Sequence, residues 1–593
     1  MLATLLALSI VALPPGAPSL AGPYARAVVE VAAPTDGVAN VFQLLDHAGK
    51  PLPQVRVSVV GKAGSVATDG DGRFRLDPLP PRPFDLAVSD QRGTWLGVVR
   101  VEASQASAPQ ALRLPATETA EVIVRAGLAP ATPAPPAAAP TVLSRVELDQ
   151  RLPGRLGNAL ESIPGLGRQE EGQSVVPTIR GMARSRVMLL LDDAPITAER
   201  RAGPSAGYLD PFSLENIEVV RGPGSVIYGS DALGGVIHSR TPMPRLRDWG
   251  GRFALFAGGG GDRSAGVGLE ANLPIGPGAL LLQGHQRSFD DYEDPNGRVD
   301  NSAARDRGLL ARALLPVGSA RIWAGVQLDE GRDQGKPALD SSVTRAYYPL
   351  EDSARFTVGA DLGGGLGFTA FEIRAFYGTY RLITDRVRRP TSTVTRRISE
   401  SDIDAKDASL RLTALRTLGN GTLRVGFDGK TRFDLNAIGR FTDFDSAGQQ
   451  TGVLTEVSVD NARRTNLGLF AETEQVLIAG RLNASLGLRG DSVKTRNNGG
   501  FFGDRETSNG AFSGFLALTV FPATRWSVTA QYSRGFRDPL LSDRYFRGVS
   551  GRGFVIGNPD ISPERSNQWD LAVRTSVGPV NLAAYGYLYR IVN

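Results

Sequence analysis

The sequence contains no cysteine and only three histidines among its 593 residues. It therefore has no disulfide framework and no thiol site. No uninterrupted run of about 18 apolar residues lies inside the chain, which excludes a helical membrane span but not a transmembrane β-barrel, whose strands alternate in polarity. The formal net charge is +5, and lysine and arginine form no compact block, so we expect no nucleic-acid partner.

Glycine is abundant, at 70 residues, as is typical of a turn-rich β protein. The first segment, residues 1–21, reads as a secretory signal peptide with an apolar core and Ser19-Leu20-Ala21 as a possible cleavage site. The usual basic residues before the apolar core are missing. A buried strand or helix is the alternative interpretation of this segment.

Residues 38–115 alternate in polarity like a small β-sandwich. Val55, Val57 and Val59 share one face of a predicted strand, and Thr68 to Phe74 contain a hairpin turn. Asp69 and Asp71 suggest a calcium loop, but the spaced ligands and the closing glutamate of such a loop are absent. We therefore expect a turn at this position.

Residues 117–140 form a predicted linker. Its first part contains the short β-prone run Val122-Ile123-Val124, and Ala129 to Pro140 should be a semi-rigid polyproline-like spacer. A short strand on a tether suits β-augmentation, in which it pairs with the edge of a partner sheet. The alternative is that this strand is the last one of the sandwich.

Residues 141–245 combine short helices and strands. Ser144 to Glu147 match a capping box that opens a helix, and Leu156 to Ile163 predict a second helix that Pro164 ends. Strands are predicted at Ile217–Val220 and, after a Gly/Pro break, at Ser225–Tyr228. The segment therefore reads as an α/β domain.

From Gly250 onward, runs of about ten residues alternate with period two. In one of them, Leu482, Ala484, Leu486 and Leu488 share a face opposite polar residues. About fifteen such runs separated by polar loops predict an antiparallel barrel with an apolar exterior and a polar lumen, closed because lipid offers the backbone no hydrogen-bond partner. A soluble sandwich or propeller is the alternative.

Three stretches of this barrel segment are predicted to be long extracellular connections, namely 290–307, 329–353 and 491–508. The first also contains Asp290, Asp291, Glu293 and Asp294, which we expect to be a solvated acidic loop rather than a cation site.

Five stretches together resemble the TonB-dependent outer-membrane receptor family. They are Thr178 to Gly181 (TIRG), Val187 to Thr197 (VMLLLDDAPIT), Ile217 to Pro242, Tyr532 to Pro539 (YSRGFRDP) and Gly557 to Glu564 (GNPDISPE). In addition, Asp46 to Leu79 resembles the carboxypeptidase regulatory-like domain that often precedes the plug in this family. The resemblance covers nearly the whole chain.

The resemblance implies a mainly β architecture: an N-terminal β-sandwich, an α/β plug at 141–245 and a transmembrane antiparallel β-barrel from 250 to 593. The family barrel has 22 strands. The sequence ends at Asn593, inside the alternating run Leu582 to Ile591. We therefore expect an incomplete barrel that lacks about six or seven strands.

The resemblance also implies residues for the TonB box, for the contacts between plug and barrel, and for the loop signatures of the barrel. Arg180 and Arg221 resemble the plug arginines that pair with barrel-wall carboxylates. The TonB box, the segment seized by the energy-transducing protein TonB, corresponds to Thr119, Ala120, Glu121, Val122, Ile123 and Val124. The predicted plug–barrel contacts are Arg180, Gly181, Arg221, Gly222 and Pro223. The barrel loop signatures comprise Phe536, Arg537, Pro539, Asn558, Pro559 and Glu564.

The implied function is active import across the outer membrane of a Gram-negative bacterium. The expected partners are TonB, outer-membrane lipid and a small extracellular ligand such as an iron–siderophore or cobalamin-like cargo. A receptor or adhesion protein that binds without transport is the alternative. Because no nucleophile–base pair or metal cluster stands out, we expect no enzyme activity, catalytic residue, metal or cofactor. Haem receptors of the family commonly carry a histidine between the two barrel signatures, and Leu540 to Ile556 contain none.

Overall fold

The computed structural model divides into two compact units, residues 12–133 and residues 1–11 with 134–593. The described residues are 9–10, 41–46, 49–59, 66–76, 84–89, 95–101, 110–114, 134–151, 153–168, 175–197, 199, 209–222, 224–247, 249–257, 264–337, 343–388, 395–523, 525–550, 553–577 and 580–592.

The smaller unit is a β-sandwich. One sheet has the strand order β5-β2-β8 and the other β4-β3-β6-β7. Val57 is fully buried between them, and Val55 and Val59 pack in the same core, as the alternation predicts. The strands are β2 (Val41–Leu45), β3 (Arg56–Val59), β4 (Val66–Ala67), β5 (Arg73–Arg75), β6 (Phe84–Ser89), β7 (Trp95–Val101) and β8 (Gln110–Arg113).

The Asp69 carboxylate is used within the predicted turn. It accepts hydrogen bonds from the backbone N–H groups of Asp71 at 2.9 Å and Arg73 at 2.8 Å. An aspartate that bonds to the backbone two and four residues ahead closes a turn without a metal.

The plug domain is built on a five-stranded sheet with the order β13-β12-β15-β14-β9. Strands β12 and β15 are parallel, and the other pairs are antiparallel. The sheet strands are β9 (Ala139–Ser144), β12 (Val187–Leu191), β13 (Ala194–Pro195), β14 (Asn216–Arg221) and β15 (Gly235–Arg240); β10 (Leu166–Arg168) and β11 (Pro177–Ile179) form a separate pair. The helices are α1 (Arg145–Arg151), α2 (Leu156–Leu160) and α3 (Ser225–Tyr228), with single 3-10 turns at Arg184–Arg186 and Pro211–Ser213.

The predicted capping box is present at α1. The backbone N–H of Ser144 donates to the Glu147 carboxylate at 2.8 Å, and the Ser144 hydroxyl accepts the backbone N–H of Glu147 at 3.4 Å. The second helix is shorter than predicted and ends at Leu160 rather than Ile163.

The strand predicted at Ser225–Tyr228 is wrong, because these residues form helix α3. The backbone N–H of Tyr228 donates to the Gly224 carbonyl at 2.9 Å, and that of Gly229 donates to the Ser225 carbonyl at 2.9 Å. All four residues of the helix are buried. A segment that is buried on every side has no alternation to separate a strand from a helix.

The remaining strands form one large antiparallel sheet. Its strands pair in chain order, and among the described residues from 250 onward only two short hairpins lie outside the sheet, β19 (Glu293–Asp294) with β20 (Gly297–Arg298) and β31 (Arg547–Ser550) with β32 (Gly553–Ile556). The two-residue strand β1 (Ser9–Ile10) pairs with the last strand, β34. The sheet has sixteen strands with β1 and fifteen without it, which confirms the prediction of about fifteen strands. The strands are β16 (Gly250–Ala257), β17 (Ser264–Ile275), β18 (Gly278–Phe289), β21 (Ala304–Val317), β22 (Ala320–Gly335), β23 (Val343–Gly365), β24 (Phe368–Arg388), β25 (Arg396–Leu418), β26 (Gly421–Phe444), β27 (Gln450–Ile478), β28 (Leu482–Gly500), β29 (Asp504–Ala523), β30 (Trp526–Arg537), β33 (Glu564–Val577) and β34 (Val580–Val592).

Polarity alternates across this sheet as predicted. In β28, Leu486 and Leu488 are about two-fifths exposed on the outer face, whereas Ser485 and Arg489 are buried on the inner one. An apolar outer face and a polar inner face are the pattern of an outer-membrane barrel. In the described part of the chain, no helix combines the length and the apolarity needed to cross a membrane.

Two of the three predicted long connections are mostly strand, and the third contains a short hairpin. Between β28 and β29, the connection is only residues 501–503, because both strands continue through the stretch 491–508. Within 329–353, β22 runs to Gly335 and β23 resumes at Val343. The stretch 290–307 holds the short hairpin β19 (Glu293–Asp294) and β20 (Gly297–Arg298). Polar residues on both faces of a strand resemble a loop in sequence, although backbone pairing continues.

We predict that Leu486→Arg costs about 2–4 kcal/mol in the free energy of unfolding from a bilayer, because a charge then faces lipid. Leu486 lies opposite Thr473 on one neighbouring strand and Leu516 on the other. Denaturant titration of the protein folded into lipid vesicles measures the change. Leu486→Ile is the control and should stay close to the parent; equal stability of both variants would mean that this face does not contact lipid.

Candidate functional site

The predicted TonB box, Thr119 to Val124, and Pro223 lie outside the described residues. The other predicted site residues are placed, and they form two groups. One group lies where the plug meets strand β33, and the other lies at the outer end of β30 and β33.

Arg180 connects the plug to the barrel wall. Its Nη1 donates to the Asp570 carboxylate of β33 at 2.8 Å, and its guanidinium lies 4.2 Å from the ring centre of Tyr587 in β34. Both members of the ion pair are almost fully buried, at 4% and 2% side-chain exposure. Arg180 and Gly181 both have positive φ, 51° and 74°, in the turn that aims the arginine at the wall.

Two hydrogen bonds of Arg221 lie inside the plug. Its guanidinium donates to the Pro164 carbonyl at 2.5 Å and to the Thr141 hydroxyl at 2.7 Å. The following Gly222 has φ of 138°, and its N–H donates to the Gly234 carbonyl at 3.2 Å. These contacts hold the loop between β14 and α3, and the pairing of Arg221 with a barrel carboxylate stays a prediction.

The two barrel signatures meet because β30 and β33 are neighbours. Arg537 lies directly opposite Glu564 in the pairing, and Phe536 beside it is 2% exposed. The Glu564 carboxylate accepts two hydrogen bonds from Arg186 of the plug, at 2.7 and 2.6 Å. Arg537 in turn donates to the hydroxyl of Ser185 in the plug. The signatures therefore contact each other and also the plug turn Arg184–Arg186, here called the plug tip.

The segment between the signatures folds back on itself. It contains helix α4 (Leu541–Tyr545) and the hairpin of β31 (Arg547–Ser550) with β32 (Gly553–Ile556). The backbone N–H of Asn558 donates to the Asp543 carbonyl at 2.9 Å, and the Pro559 carbonyl accepts Arg544 at 2.8 Å. Pro539 is buried at the start of the segment. The proline and asparagine positions thus fix the stems of this loop.

A cavity of about 260 Å³, here called the outer cavity, lies between the plug tip and this loop. Its walls mix charged and apolar groups. The plug contributes Arg184, Ser185, Arg186 and Glu199, and the rest comes from the barrel strands and the loop 540–564. The apolar lining residues include Leu382, Ile403, Phe546, Val549, Val555 and Ile556.

The carboxylates that line the outer cavity are each held by arginine. Glu199 pairs with Arg432 at 2.9 Å, Glu564 pairs with Arg186, and Asp543 pairs with Arg537. Carboxylates neutralised in this way are poor ligands for a free cation. None of the described lining residues is histidine, cysteine or methionine, so the cavity also offers no soft or imidazole ligand.

His238 is sealed within the plug. It is completely buried, and its Nε2 accepts the backbone N–H of Asp193 at 3.0 Å. Burial, aided by the positive charge of Arg240, lowers the pKa of the imidazole to about 3. This histidine is therefore neutral and does not face the outer cavity.

Several residues of the site were not found by sequence reasoning. Asp570, Arg186, Glu199 and Asp543 belong to no motif, and each acquires its role from a partner distant in the chain. Alternation places Asp570 on the inner face of β33 but does not reveal what it meets there.

We predict that Arg180→Ala lowers the free energy of unfolding by about 3–5 kcal/mol, because it leaves the Asp570 carboxylate buried without its cation. Denaturant titration in detergent measures the loss. The matched control is Arg168→Ala, which removes an exposed pair with Glu161 and should cost at most about 1 kcal/mol. Equal losses for the two variants would show that the Arg180 pair is not a structural anchor.

Comparisons with known proteins give the same architecture. Residues 278–591, more than half of the chain, match the family model described as TonB dependent receptor-like, beta-barrel. Residues 136–236 match the TonB-dependent Receptor Plug Domain. A curated relative, the iron-regulated outer membrane virulence protein of Vibrio cholerae serotype O1, is 29% identical over 486 residues, which is 78% of this chain and 67% of the relative.

Among solved structures, the copper transporter OprC superposes with a TM-score of 0.64 at 19% identity, covering 77% of this chain and 72% of OprC. The ferric citrate transporter FecA in its unliganded form superposes with a TM-score of 0.58 at 16% identity, covering 77% and 70%. At these identities the two superpositions establish the fold alone. Together, the matched barrel and plug models and the fifteen-stranded sheet show that this chain belongs to the TonB-dependent receptor family of the Gram-negative outer membrane.

Proposed function

We propose that this receptor is an active importer of a scarce ligand, such as an iron–siderophore or a cobalamin-like complex. The ligand binds in the outer cavity, and TonB then pulls on Thr119 to Val124 to drive its release inward. The observation that carries this proposal is that one cavity is lined by the plug tip and by both barrel signatures. A ligand in that cavity touches the plug and the barrel together.

Arg186 supplies a physical link from ligand to plug. It lines the outer cavity, belongs to the plug and holds Glu564 of the barrel through two hydrogen bonds. An anionic ligand that competes for Arg186 weakens a plug–barrel contact. A ligand can shift the plug only if its contacts differ between the resting plug conformation and the shifted one.

The lining favours a complete chelate over a bare metal ion. Its carboxylates are occupied by arginine, and soft ligands are absent from its described residues. A chelated metal brings its own ligands and presents an organic surface. The apolar wall with interspersed arginines suits such a surface, which combines carbon skeleton and anionic oxygen.

We further propose that the smaller unit is a carboxypeptidase regulatory-like domain. Its two-sheet fold and the turn closed by Asp69 support the resemblance seen over Asp46 to Leu79. The β-sandwich itself, strands β2 to β8, is an accessory domain, and the proposed uptake step uses only Thr119 to Val124 of this unit.

The second candidate function is a receptor or adhesion protein that binds without transport. Binding in the outer cavity is common to both candidates, so binding alone does not separate them. Energy-dependent accumulation does, because only an importer needs TonB.

Uptake by a strain that lacks the receptor, with and without the gene restored, identifies the cargo. The panel contains ferric siderophores, cobalamin, haem and an oligosaccharide. We expect uptake of a ferric siderophore or cobalamin to depend on the receptor. For the cargo found, exchange of stretch 290–307 or 329–353 then shows which extracellular segment contributes to binding.

We predict that deletion of Thr119 to Val124 abolishes uptake of that cargo while equilibrium binding to whole cells is retained, because the outer cavity is untouched. Radiolabelled cargo measures both quantities. Deletion of residues 128–133 is the control and should leave uptake close to the parent level, because it stops before plug strand β9 (Ala139–Ser144). Full uptake after loss of residues 119–124 would contradict the TonB-box assignment.

A further inference from the structure

A second, smaller cavity of about 70 Å³ lies deeper in the barrel lumen. This inner cavity is bounded by plug strand β12 and hairpin partner β13 on one side and by barrel strands β24 to β27 on the other. It shares Ser185 and Leu540 with the outer cavity. A still deeper void, of about one water volume, shares Phe376 and Lys430 with the inner cavity. The three spaces therefore follow one another inward along the same face of the plug.

An ion pair lies at the boundary between the outer cavity and the inner one, beside the shared residues Ser185 and Leu540. Glu199 of the plug lines the outer cavity, and Arg432 of β26 lines the inner cavity. Their side chains meet at 2.9 Å and are 3% and 7% exposed. The second Glu199 oxygen accepts the backbone N–H of Ser542 at 3.0 Å, which ties the pair to helix α4. The pair is thus the charged part of the boundary between the cavities.

Arg432 is held in place without Glu199. Its Nε and Nη2 donate to the Asp407 carboxylate at 2.9 and 2.7 Å, and Nη2 also donates to the Thr197 hydroxyl at 2.6 Å. Glu199 uses only the remaining nitrogen, Nη1. Loss of Glu199 would free one donor of a guanidinium that Asp407 keeps in position.

Within the described residues, the inner cavity is lined by a buried amide oxygen that has no hydrogen-bond partner. Asn466 of β27 is 5% exposed, and its amide oxygen has no hydrogen-bond partner among the described residues. It lines the inner cavity together with Arg464, whose buried Nε also makes no hydrogen bond in the described part of the chain. A buried polar atom without a hydrogen bond costs stability unless something else supplies the bond.

Plug–barrel ion pairs also anchor the wall formed by β18 and β21, here called the anchored wall. Asp306 of β21 is held by Arg155 of the plug and by Arg287 of β18, and Arg287 also pairs with Asp210 of the plug at 3.2 Å. Arg312 of β21 pairs with Asp192 in the β12–β13 turn. All these side chains are at most 8% exposed. The outer and inner cavities are not lined by any of these residues, and the deepest void reaches the anchored wall at Asp192.

We propose that the inner cavity is a second ligand site on the import route and that the Glu199–Arg432 pair is the gate before it. The inference rests on the proposed import function. The ligand class is a chelate whose anionic arm, such as a carboxylate or a catecholate, enters this cavity of about 70 Å³ and replaces the Glu199 carboxylate on Nη1 of Arg432. Asn466 then faces the incoming ligand as a polar partner. The exchange keeps a negative oxygen on the buried arginine throughout the passage.

The natural absence of cysteine makes this gate measurable without cargo or TonB. Asn466→Cys places a single thiol in the inner cavity. Its rate of modification by an anionic methanethiosulfonate, the 2-sulfonatoethyl reagent, reports access from the outer cavity. In the Glu199→Gln background we expect modification to be faster by at least about tenfold, the change that about 1.4 kcal/mol of lost pairing produces. The cationic trimethylammonium reagent should gain less, because Arg432 repels it.

Two controls separate a gate from general loosening. Gln283→Cys places a thiol of similar burial on the anchored wall, in β18, and its modification rate should not change with Glu199→Gln. Glu199→Asp keeps the negative charge, so the thiol of Asn466→Cys should react at close to its original rate in that background. Circular dichroism in detergent confirms that each full-length variant is folded.

The proposal is overturned if Glu199→Gln leaves the labelling rate of Asn466→Cys unchanged or accelerates that of Gln283→Cys equally. A larger gain for the cationic reagent would overturn the anionic ligand class. The labelling result is independent of uptake. If the gate responds as expected but the protein imports none of the tested cargoes, the proposed function is refuted and the gate is supported. If uptake depends on TonB but the labelling shows no gate, the gate is refuted and the proposed function is supported.

Discussion

The polar lumen imposes one constraint on the whole molecule: a charge removed from water must be matched by a partner. Arg180 with Asp570 and Arg312 with Asp192 are buried pairs in which one member comes from the plug and the other from the wall. The desolvation cost of each ion is offset only in a well-defined geometry. The plug is therefore positioned by several points of charge matching, and its orientation in the barrel is the one that satisfies them together.

A second constraint acts on the outside and explains what the sequence predicts well. Lipid offers the backbone no hydrogen-bond partner, so a spanning segment must be a paired strand with apolar residues on every second position. That rule is local, and the alternation at Leu486 and Leu488 could be recognised from the sequence alone. The capping box at Ser144 and Glu147 is local as well, and it is present in the structure. Such features need no knowledge of distant neighbours.

The sequence-based predictions differ from the structure where the local sequence signal is absent or ambiguous. The segment Ser225–Tyr228 is buried on all sides, so its apolar run does not distinguish a helix from a strand. The stretch 491–508 is polar on both faces, which resembles a loop in sequence, yet its two strands stay paired there. Glu199 and Arg432 are 233 residues apart in the chain, and only the placement of the plug against β26 brings them together. Periodicity gives the face on which a residue lies, but not what it meets across the lumen.

The pairing of β30 with β33 has a consequence for coupling between ligand and plug. Because Arg537 and Glu564 lie directly opposite each other, the chain between them must leave and re-enter the sheet at the same level. Helix α4 and the β31–β32 hairpin are therefore folded back onto the barrel mouth, where they line the outer cavity. The stems of that loop are the same residues that bond Ser185 and Arg186 of the plug. A ligand that moves the loop thus acts on side chains already attached to the plug, and no longer path through the barrel wall is needed.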